Sequence, residues 1–183
     1  MREMVEKIKA GGIIQNTNLA KIGVMSVPDR PGIASAVLTA LGERNINVQF
    51  IVQSIDLKNR THMILCVAED DLEAALLAIE GVKSKVRAEK VIFRPNVAIV
   101  SVFGPHFRDH PGIAGLAFSA LASMGINILA ISTSISTISC VIDDGRVAEA
   151  IEALGEVFDV PSSAVFTASR GLSLRSRTHE GGS

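Results

Sequence analysis

The chain has 183 residues, of which 48% are hydrophobic, and its formal net charge is −1. A chain with this charge and without a long basic run is not expected to bind nucleic acid. No stretch approaches the roughly 18 apolar residues of a membrane-spanning helix, and residues 1–9 carry charges where a signal peptide has an apolar core. We therefore expect a cytoplasmic protein without a nucleic-acid or membrane partner.

The predicted elements begin after an N-terminal extension, residues 1–19, in which residues 11–16 could form an edge strand. Residues 21–27 have the apolar pattern of a strand. The Asp-Arg-Pro-Gly turn that follows leads into a helix, whose apolar face is predicted to contain Ile33, Val37, Leu38 and Leu41.

Three further strands and one helix follow in the same unit. Residues 46–55 and 61–68 are predicted strands joined by a polar hairpin. A second helix is predicted from Asp70, a plausible N-cap, to Gly81, and a last strand at 85–93 completes the order βαββαβ. This order is that of a ferredoxin-like fold.

The chain contains a second copy of this unit. Eleven of the 25 positions from Pro31 to Ile55 are identical 80 residues later, beginning with the string Pro-Gly-Ile-Ala. A repeat of this kind indicates two structurally similar modules. We predict one module at 20–94, a second at 95–168, and a disordered tail at 169–183, which is rich in Ser, Arg and Gly.

The predicted fold class is α+β, with two ferredoxin-like modules in tandem whose antiparallel sheets carry helices on one face. Strands such as 97–100 and 126–131 are apolar on both sides. Since large apolar faces are rarely left in water, we expect the uncovered faces to pack against the sister module or a second chain. A homodimer or larger assembly is therefore expected.

The turn between the first strand and the first helix is a candidate anion site in both copies. A helix N-terminus presents free backbone N–H groups and partial positive charge, which suit a carboxylate. The alternative is an ordinary capped turn, in which an aspartate accepts hydrogen bonds from those N–H groups. The residues of the two turns are Asp29, Pro31 and Gly32 in the first copy and His110, Pro111 and Gly112 in the second.

Polar side chains inside otherwise apolar strands form a second candidate set. The first copy has Asn47 and Gln53, and the second has Asn127 with Thr133 and Ser134. Uncharged amides and hydroxyls can recognise an amino group or a side chain by hydrogen bonds. The alternatives are exposure at a sheet edge, a polar contact between modules, or capping of the preceding turn by the two asparagines.

Other kinds of site lack the residues that they require. The four histidines show no zinc-ligand spacing and no pairing with a nucleophile, and there is no Gly-rich phosphate loop. Cys66 and Cys140 lie in apolar runs without a neighbouring Cys or His, so we expect buried, reduced thiols. No catalytic set, metal site or cofactor is predicted.

Several short strings share the pattern of a known family. They are Val-Pro-Asp-Arg-Pro-Gly at 27–32, Ile-Asn-Val at 46–48, Ile-Val-Gln at 51–53, His-Pro-Gly at 110–112, and Asn-Ile at 127–128 with Ile-Ser-Thr-Ser at 131–134. Together they resemble the ACT domain over roughly residues 20–168. The last string in particular is similar to the tandem ACT pair that forms the regulatory part, or the separate small subunit, of aspartokinase.

This resemblance implies feedback regulation, in which lysine or threonine binds where two ACT modules meet and inhibits an aspartokinase catalytic domain or subunit. The chain itself is then expected to be non-catalytic, with the kinase domain absent. The implied effector-binding residues are Asp29, Pro31, Gly32, Ile33, Ala34, Asn47 and Gln53 of the first module, with Asn127, Ile128, Ser132, Thr133 and the turn His110-Pro111-Gly112 of the second.

Two other functions are compatible with the same fold. An acylphosphatase-like hydrolase needs an arginine at a phosphate-cradling loop and an asparagine that holds water, and Arg30 and Asn47 are the candidates for these roles. A purely structural interaction module would bind no ligand and would use the polar positions for contact specificity.

Overall fold

The computed structural model of the protein describes residues 7–105, 107–109, 111–161 and 163–168. No helix within these ranges is long and apolar enough to cross a membrane. The helices are α1 (Ile33–Gly42), α2 (Leu72–Val86), α3 (Ile113–Ser123) and α4 (Val147–Val157). The strands are β1 (Ile8–Lys9), β2 (Gly12–Pro28), β3 (Phe50–Ile55), β4 (Arg60–Ala68), β5 (Lys90–Phe103), β6 (Ala130–Thr133), β7 (Thr137–Asp143), β8 (Phe158–Asp159) and β9 (Val165–Thr167).

The two longest strands, β2 and β5, each pass through both modules. The main sheet has the order β3-β4-β2-β5-β7-β6, and β9 also pairs with β2. Residues 19–28 of β2 pair with β4, and residues 19–25 also pair with residues 90–97 of β5, whereas residues 12–16 pair with residues 99–103 of β5. The two modules therefore share one continuous sheet rather than being joined by a linker.

Both modules have the predicted ferredoxin-like arrangement, and the fold class is confirmed. In the first, α1 and α2 pack on one face of β4 and of residues 19–28, around buried side chains that include Val24, Val37 and Ile79. In the second, α3 and α4 pack in the same way on β7 and on residues 97–103 of β5.

The second module departs from the predicted repeat in its fourth strand. A full copy up to residue 168 would place a strand from after α4 beside residues 97–103, but residues 12–16 take that place. β9 instead pairs in parallel with the other side of β2, so the predicted edge strand lies inside the sheet. Ile13 is only 1% exposed and lies in the core of the second module. Its burial favours the central position of residues 12–16 over a solvated edge of the sheet.

The predicted bounds of the second helix were wrong at both ends. α2 continues through Gly81 to Val86, because Val86 is buried and extends the apolar face while Gly81 lies exposed on the other side. The C-cap residue that follows Val86 is Arg87, which has a left-handed φ of 57°. Asp71, not Asp70, is the N-cap residue, and its side chain makes no capping hydrogen bond.

Three further predictions need correction in the first module. Leu38 is 36% exposed and lies off the apolar face of α1, where Ile33, Val37 and Leu41 are buried. β3 begins at Phe50 rather than at residue 46. The predicted strand at 85–93 begins only at Lys90 and continues into the second module as β5, because Lys85 and Val86 still belong to α2.

A third apolar cluster joins the helix-free faces of the two modules. Phe50 and Cys66 of the first module pack there with Val97, Ile99 and Val141 on the strands of the second. Leu19 of β2 completes this cluster. The expectation that the sister module covers the helix-free faces therefore holds where the modules meet.

Both shared strands bend at an asparagine in the left-handed conformation, and a carboxylate holds each bend. Asn18 has φ 56° and its N–H donates to the Asp144 carboxylate at 3.1 Å. Asn96 has φ 54° and its N–H donates to the Glu69 carboxylate at 3.2 Å. Glu69 follows β4 in the first module and Asp144 follows β7 in the second, so each module fixes one bend.

We predict that neither cysteine thiol reacts in the folded protein. Both are free and buried, and burial raises the pKa of Cys66 and of Cys140 to about 12. Since the thiolate is the nucleophile, only about one thiol in ten thousand would be ionised at pH 8. A disulfide reagent at pH 8 should label both cysteines in urea and neither in native buffer, and fast labelling of the native protein would contradict the assigned burial.

Candidate functional site

The turn after β2 and a side chain of β3 form one shallow cavity. Its volume is about 350 Å³, and it lies on the surface of the first module beside the N-terminus of α1. The structure thus brings together six of the predicted effector-binding residues, although Gln53 lies more than twenty positions away from the turn. The lining residues are Asp29, Arg30, Pro31, Gly32, Ile33, Ala34 and Gln53.

Gly32 gives the turn its shape and leaves the helix N-terminus open. It is the N-cap residue of α1, with φ 94° and ψ −6°, a conformation that favours glycine. No side chain caps the helix, so the N–H groups of its first turn keep their donor capacity. A Cβ added at Gly32 would meet nothing within 4 Å, which leaves space for a ligand in front of these donors.

Asp29 is held by the hairpin between β3 and β4 rather than by the helix. Its Oδ1 accepts a hydrogen bond from the Thr61 hydroxyl at 3.2 Å, and its backbone N–H donates to the Asn59 carbonyl at 3.2 Å. The alternative interpretation, in which Asp29 caps α1, is therefore wrong. A carboxylate and a set of free N–H donors face one cavity, an arrangement that can bind an ammonium group and a carboxylate of one ligand.

Arg30 fixes the turn from its other side. Its guanidinium donates to the Lys85 carbonyl near the end of α2. The turn is thus tied both to the hairpin and to the second helix. Sequence reasoning missed Asn59, Thr61 and Lys85 because all three act through contacts distant in sequence, and the one available signal was the longer hairpin of the first copy.

The second module has a similar turn with a different loop in front of it. Gly112 is the N-cap residue of α3, with φ 85° and no side-chain cap, and Pro111 is exposed beside it. His110 lies outside the described residues. The longer loop places Phe107, 4% exposed, against Phe158 with ring centroids 5.7 Å apart. This contact with the core was not predicted, although an apolar residue in an inserted loop was the signal.

The two asparagines do not lie at the turns in this chain. Asn47 lines a separate cavity of about 760 Å³ at the bend of the shared strands, together with Asn18, Glu69 and Asn96. Asn127 lines a smaller cavity of about 270 Å³, where Arg94 pairs with Asp143 at 2.8 Å. Both asparagines therefore occupy equivalent positions near the junction of the modules.

The remaining predicted residues lie on or next to β6, an edge strand. Ser132 and Thr133 pair with Ser139 and Ile138 of β7, and Thr133 is exposed. Ile128 is half-buried and packs against the core of the second module. In the described part of the chain, no group of three or more His, Cys, Asp or Glu side chains is arranged to hold a metal ion.

Comparisons with known proteins agree with this geometry. Two ACT domain models match residues 22–83 and 100–158. The chain is 35% identical to the regulatory subunit of aspartate kinase from Thermus thermophilus in its ligand-free form, covering 82% of this chain and 99% of that one, with a TM-score of 0.73. A structure of aspartokinase alpha and beta subunits matches at 32% identity, 81% and 97% coverage and a TM-score of 0.73.

A similar relative among complete enzymes is an aspartate kinase of Stutzerimonas stutzeri. It is 35% identical over 166 residues, which are 91% of this chain and 40% of the enzyme. The chain therefore spans about two fifths of the length of the curated relatives that it matches.

We predict that Gly32→Ala destabilises the protein by about 1–2 kcal/mol, the usual cost of a left-handed conformation for a residue with a Cβ. Gly42→Ala is the matched control, since Gly42 is the last residue of the same helix, has open space around it and gains helix propensity. Urea unfolding should give a lower midpoint for the first variant and an equal or higher one for the second. Equal midpoints for Gly32→Ala and the wild type would contradict the assigned backbone conformation.

Proposed function

Since this chain belongs to the ACT domain family, with two such domains in tandem, we propose that it is a non-catalytic regulatory region or subunit of an aspartate kinase. In this role it binds an amino-acid effector, lysine or threonine, and the bound form inhibits the kinase domain or subunit with which it associates. This regulation takes place in the cytoplasm and needs no cofactor. The observation that carries the proposal is the cavity in which Asp29, the open N-terminus of α1 and Gln53 converge.

Each part of an amino acid has a matching group in this cavity. The α-carboxylate binds the N–H groups of Ile33 and Ala34, where the helix dipole favours negative charge. The ammonium group binds the Asp29 carboxylate, a charge-assisted hydrogen bond. Gln53 is exposed on β3 and recognises the side chain through its amide. A volume of about 350 Å³ is at the small end of ligand pockets, as suits a free amino acid.

A second copy of the chain completes this site. The cavity is open to solvent, and within one chain Asn127 lines a different cavity. The family resemblance implies that Asn127 and Ile128 lie opposite the first turn. In this fold, only the Asn127 and Ile128 of another protomer could take that position. The two edge strands of the sheet, β3 and β6, carry the exposed apolar side chains that such an association would cover. They and their flanks include Ile51 (38% exposed), Ile55 (53%), Ile131 (42%) and Ile135 (70%).

The hydrolase alternative is not favoured by the arrangement of its candidate residues. Arg30 uses its guanidinium to bind the Lys85 carbonyl, and Asn47 lines the cavity at the module junction instead of the turn. The two side chains that would have to cradle a phosphate and hold a water therefore belong to different sites.

We predict that Asp29→Asn weakens amino-acid binding by about tenfold or more. Asparagine keeps an oxygen that can accept from the buried Thr61 hydroxyl, so the change removes the charge without leaving that donor unpaired. The loss of a charge-assisted hydrogen bond costs about 1.5–3 kcal/mol. Calorimetric titration with L-lysine and L-threonine measures the effect on the dissociation constant.

Glu43→Gln is the control, because Glu43 is an exposed acid at the far end of the same helix. It should bind like the wild type. An effector at 100 times its dissociation constant should also stabilise the wild type by about 2.7 kcal/mol in a melting scan. Unchanged melting with both amino acids, or equal affinity of Asp29→Asn and the wild type, would place the effector elsewhere or nowhere.

We also predict a homodimer, because the open cavity and the exposed apolar edge strands call for a second copy. Light scattering at micromolar concentration should give twice the chain mass of 19.3 kDa. Replacing Ile55 by Lys should shift the mass towards the monomer, whereas replacing the exposed Leu77 on α2 should not. A monomeric mass for the wild type in the absence of any kinase subunit would contradict this assembly.

A further inference from the structure

The hairpin between β3 and β4 is built around one carboxylate. Asp56 Oδ1 accepts hydrogen bonds from the Lys58 N–H at 2.8 Å and the Arg60 N–H at 2.9 Å. Its Oδ2 lies 3.1 Å from Nε2 of His62. The bond with His62 and the backbone bonds of Arg60 and Lys58 hold the pKa of Asp56 below its ordinary value. Asp56 thus remains an acceptor throughout the range in which a histidine titrates.

His62 bridges this carboxylate to the backbone of β2. Its Nδ1 accepts a hydrogen bond from the Ser26 N–H at 3.3 Å, while Nε2 faces Asp56. A backbone N–H requires a bare ring nitrogen and a carboxylate requires an N–H, so both contacts are satisfied by the neutral imidazole with its proton on Nε2.

Ser26 lies at a β-bulge near the end of β2, just before the turn that contains Asp29. The pairing register with β4 shifts between Val24 and Val27, and Ser26 has a left-handed φ of 55°. His62 accepts from its N–H, and the Arg60 guanidinium donates to its carbonyl. The N–H and the carbonyl of this strained residue are therefore both bound by side chains of β4. Ser26 lies three residues before Asp29.

The same stretch of chain also holds Asp29. Asn59 accepts from the Asp29 N–H and Thr61 donates to its carboxylate, and these residues flank Arg60. Hairpin, bulge and turn are thus linked through contacts of residues 59–62. A change at His62 acts on the bulge directly and on the position of Asp29 through it.

We propose that His62 is a positioning residue for the amino-acid site of the first module and that only its neutral form holds the turn in the binding geometry. The proposal rests on the proposed function for its ligand. It adds to that function a proton-dependent control of effector affinity in one module.

Protonation creates a conflict at one atom. A proton on Nδ1 would face the Ser26 N–H, so two donors would meet and this hydrogen bond would be lost. The bond between Nε2 and Asp56 survives and becomes charge-assisted. The hairpin therefore keeps its hydrogen bond to the ring, whereas the bulge loses the hydrogen bond between the Ser26 N–H and the ring. Binding competence belongs to the neutral ring and is lost as the ring takes up a proton.

The charged groups around His62 come from three elements. The Asp56 carboxylate of the hairpin faces Nε2 of the ring, and the Arg60 guanidinium of the same strand as His62 binds the Ser26 carbonyl. Glu89 forms an ion pair with Arg60, and Lys90 pairs in register with Met25 beside the bulge. The second module has only Ser, Ile and Thr at residues 134–137 of its shorter hairpin, so this control is confined to the first module.

The test is the pH dependence of effector binding in a matched pair of variants. Asparagine at 62 places an oxygen near the position of Nδ1 and preserves the acceptor for Ser26 without titrating, whereas glutamine reaches the position of Nε2 and preserves the donor for Asp56. Calorimetry is run from pH 8 to pH 5.5 with whichever of L-lysine and L-threonine binds at pH 8.

The wild-type dissociation constant should rise by up to about tenfold as the pH falls from 8 to 5.5, the range in which histidine side chains take up a proton. His62→Asn should bind within about twofold of the wild type at pH 8 and show a flat profile, beyond effects common to all variants. His62→Gln should bind more weakly at every pH. Parallel profiles for the wild type and His62→Asn would overturn the proposal.

A ligand-free measurement separates this proposal from the proposed function. The amide signals of Ser26 and Asp29 in a nitrogen-15 NMR spectrum should follow the titration of the His62 ring in the wild type and remain still in His62→Asn. If neither amino acid binds but both amides follow the ring, the function fails and the positioning role stands. If the Asp29 amide signal does not change when the His62 ring is protonated, the positioning role is wrong whether or not a ligand binds.

Discussion

The pairing of β2 with β5 is the constraint on which the rest of the structure depends. Each strand contributes one part to either module, so the two modules cannot separate without breaking backbone hydrogen bonds between β2 and β5. Asn18 and Asn96 interrupt the regular conformation of these strands where the modules join, and residues of both modules form the buried cluster around Cys66 and Val141. Small modules gain stability from such shared burial, since each alone encloses only a limited core.

The same strand that unites the modules leads directly into the proposed binding turn. β2 starts in the second module at Gly12 and ends at Pro28, one residue before Asp29. An effector that engages Asp29 and the N-terminus of α1 is thus bound at one end of a strand whose other end lies in the sister module. Coupling between sites requires a physical element with more than one arrangement, and the bulge at Ser26 and the bend at Asn18 are the irregular points on this strand.

Local features of the sequence predicted more than its long-range pairings did. The repeat identified both modules, and the Pro-Gly turns identified the open helix starts, because periodicity and turn chemistry are decided by neighbouring residues. The prediction of which strand pairs with residues 97–103 was wrong. Residues 12–16 and residues 165–167 are both apolar enough to form this strand, and only the burial of Ile13 in the folded core favours residues 12–16. The family resemblance implied that Asn47 and Gln53 bind one effector, but Asn47 lines the cavity at the junction and Gln53 lines the cavity at the turn. His62 gave no motif, because its partners Asp56 and Ser26 meet only in the folded hairpin.

The central claim is that one amino acid occupies the cavity between Asp29, the start of α1 and Gln53. The most direct measurement is a nitrogen-15 NMR titration of the intact chain with L-lysine and with L-threonine. One of them should produce saturable shifts at the amides of Gly32, Ile33 and Ala34 and at the side-chain amide of Gln53. Shifts that do not saturate, or that are confined to the junction cavity around Asn47 and Asn96, would contradict it.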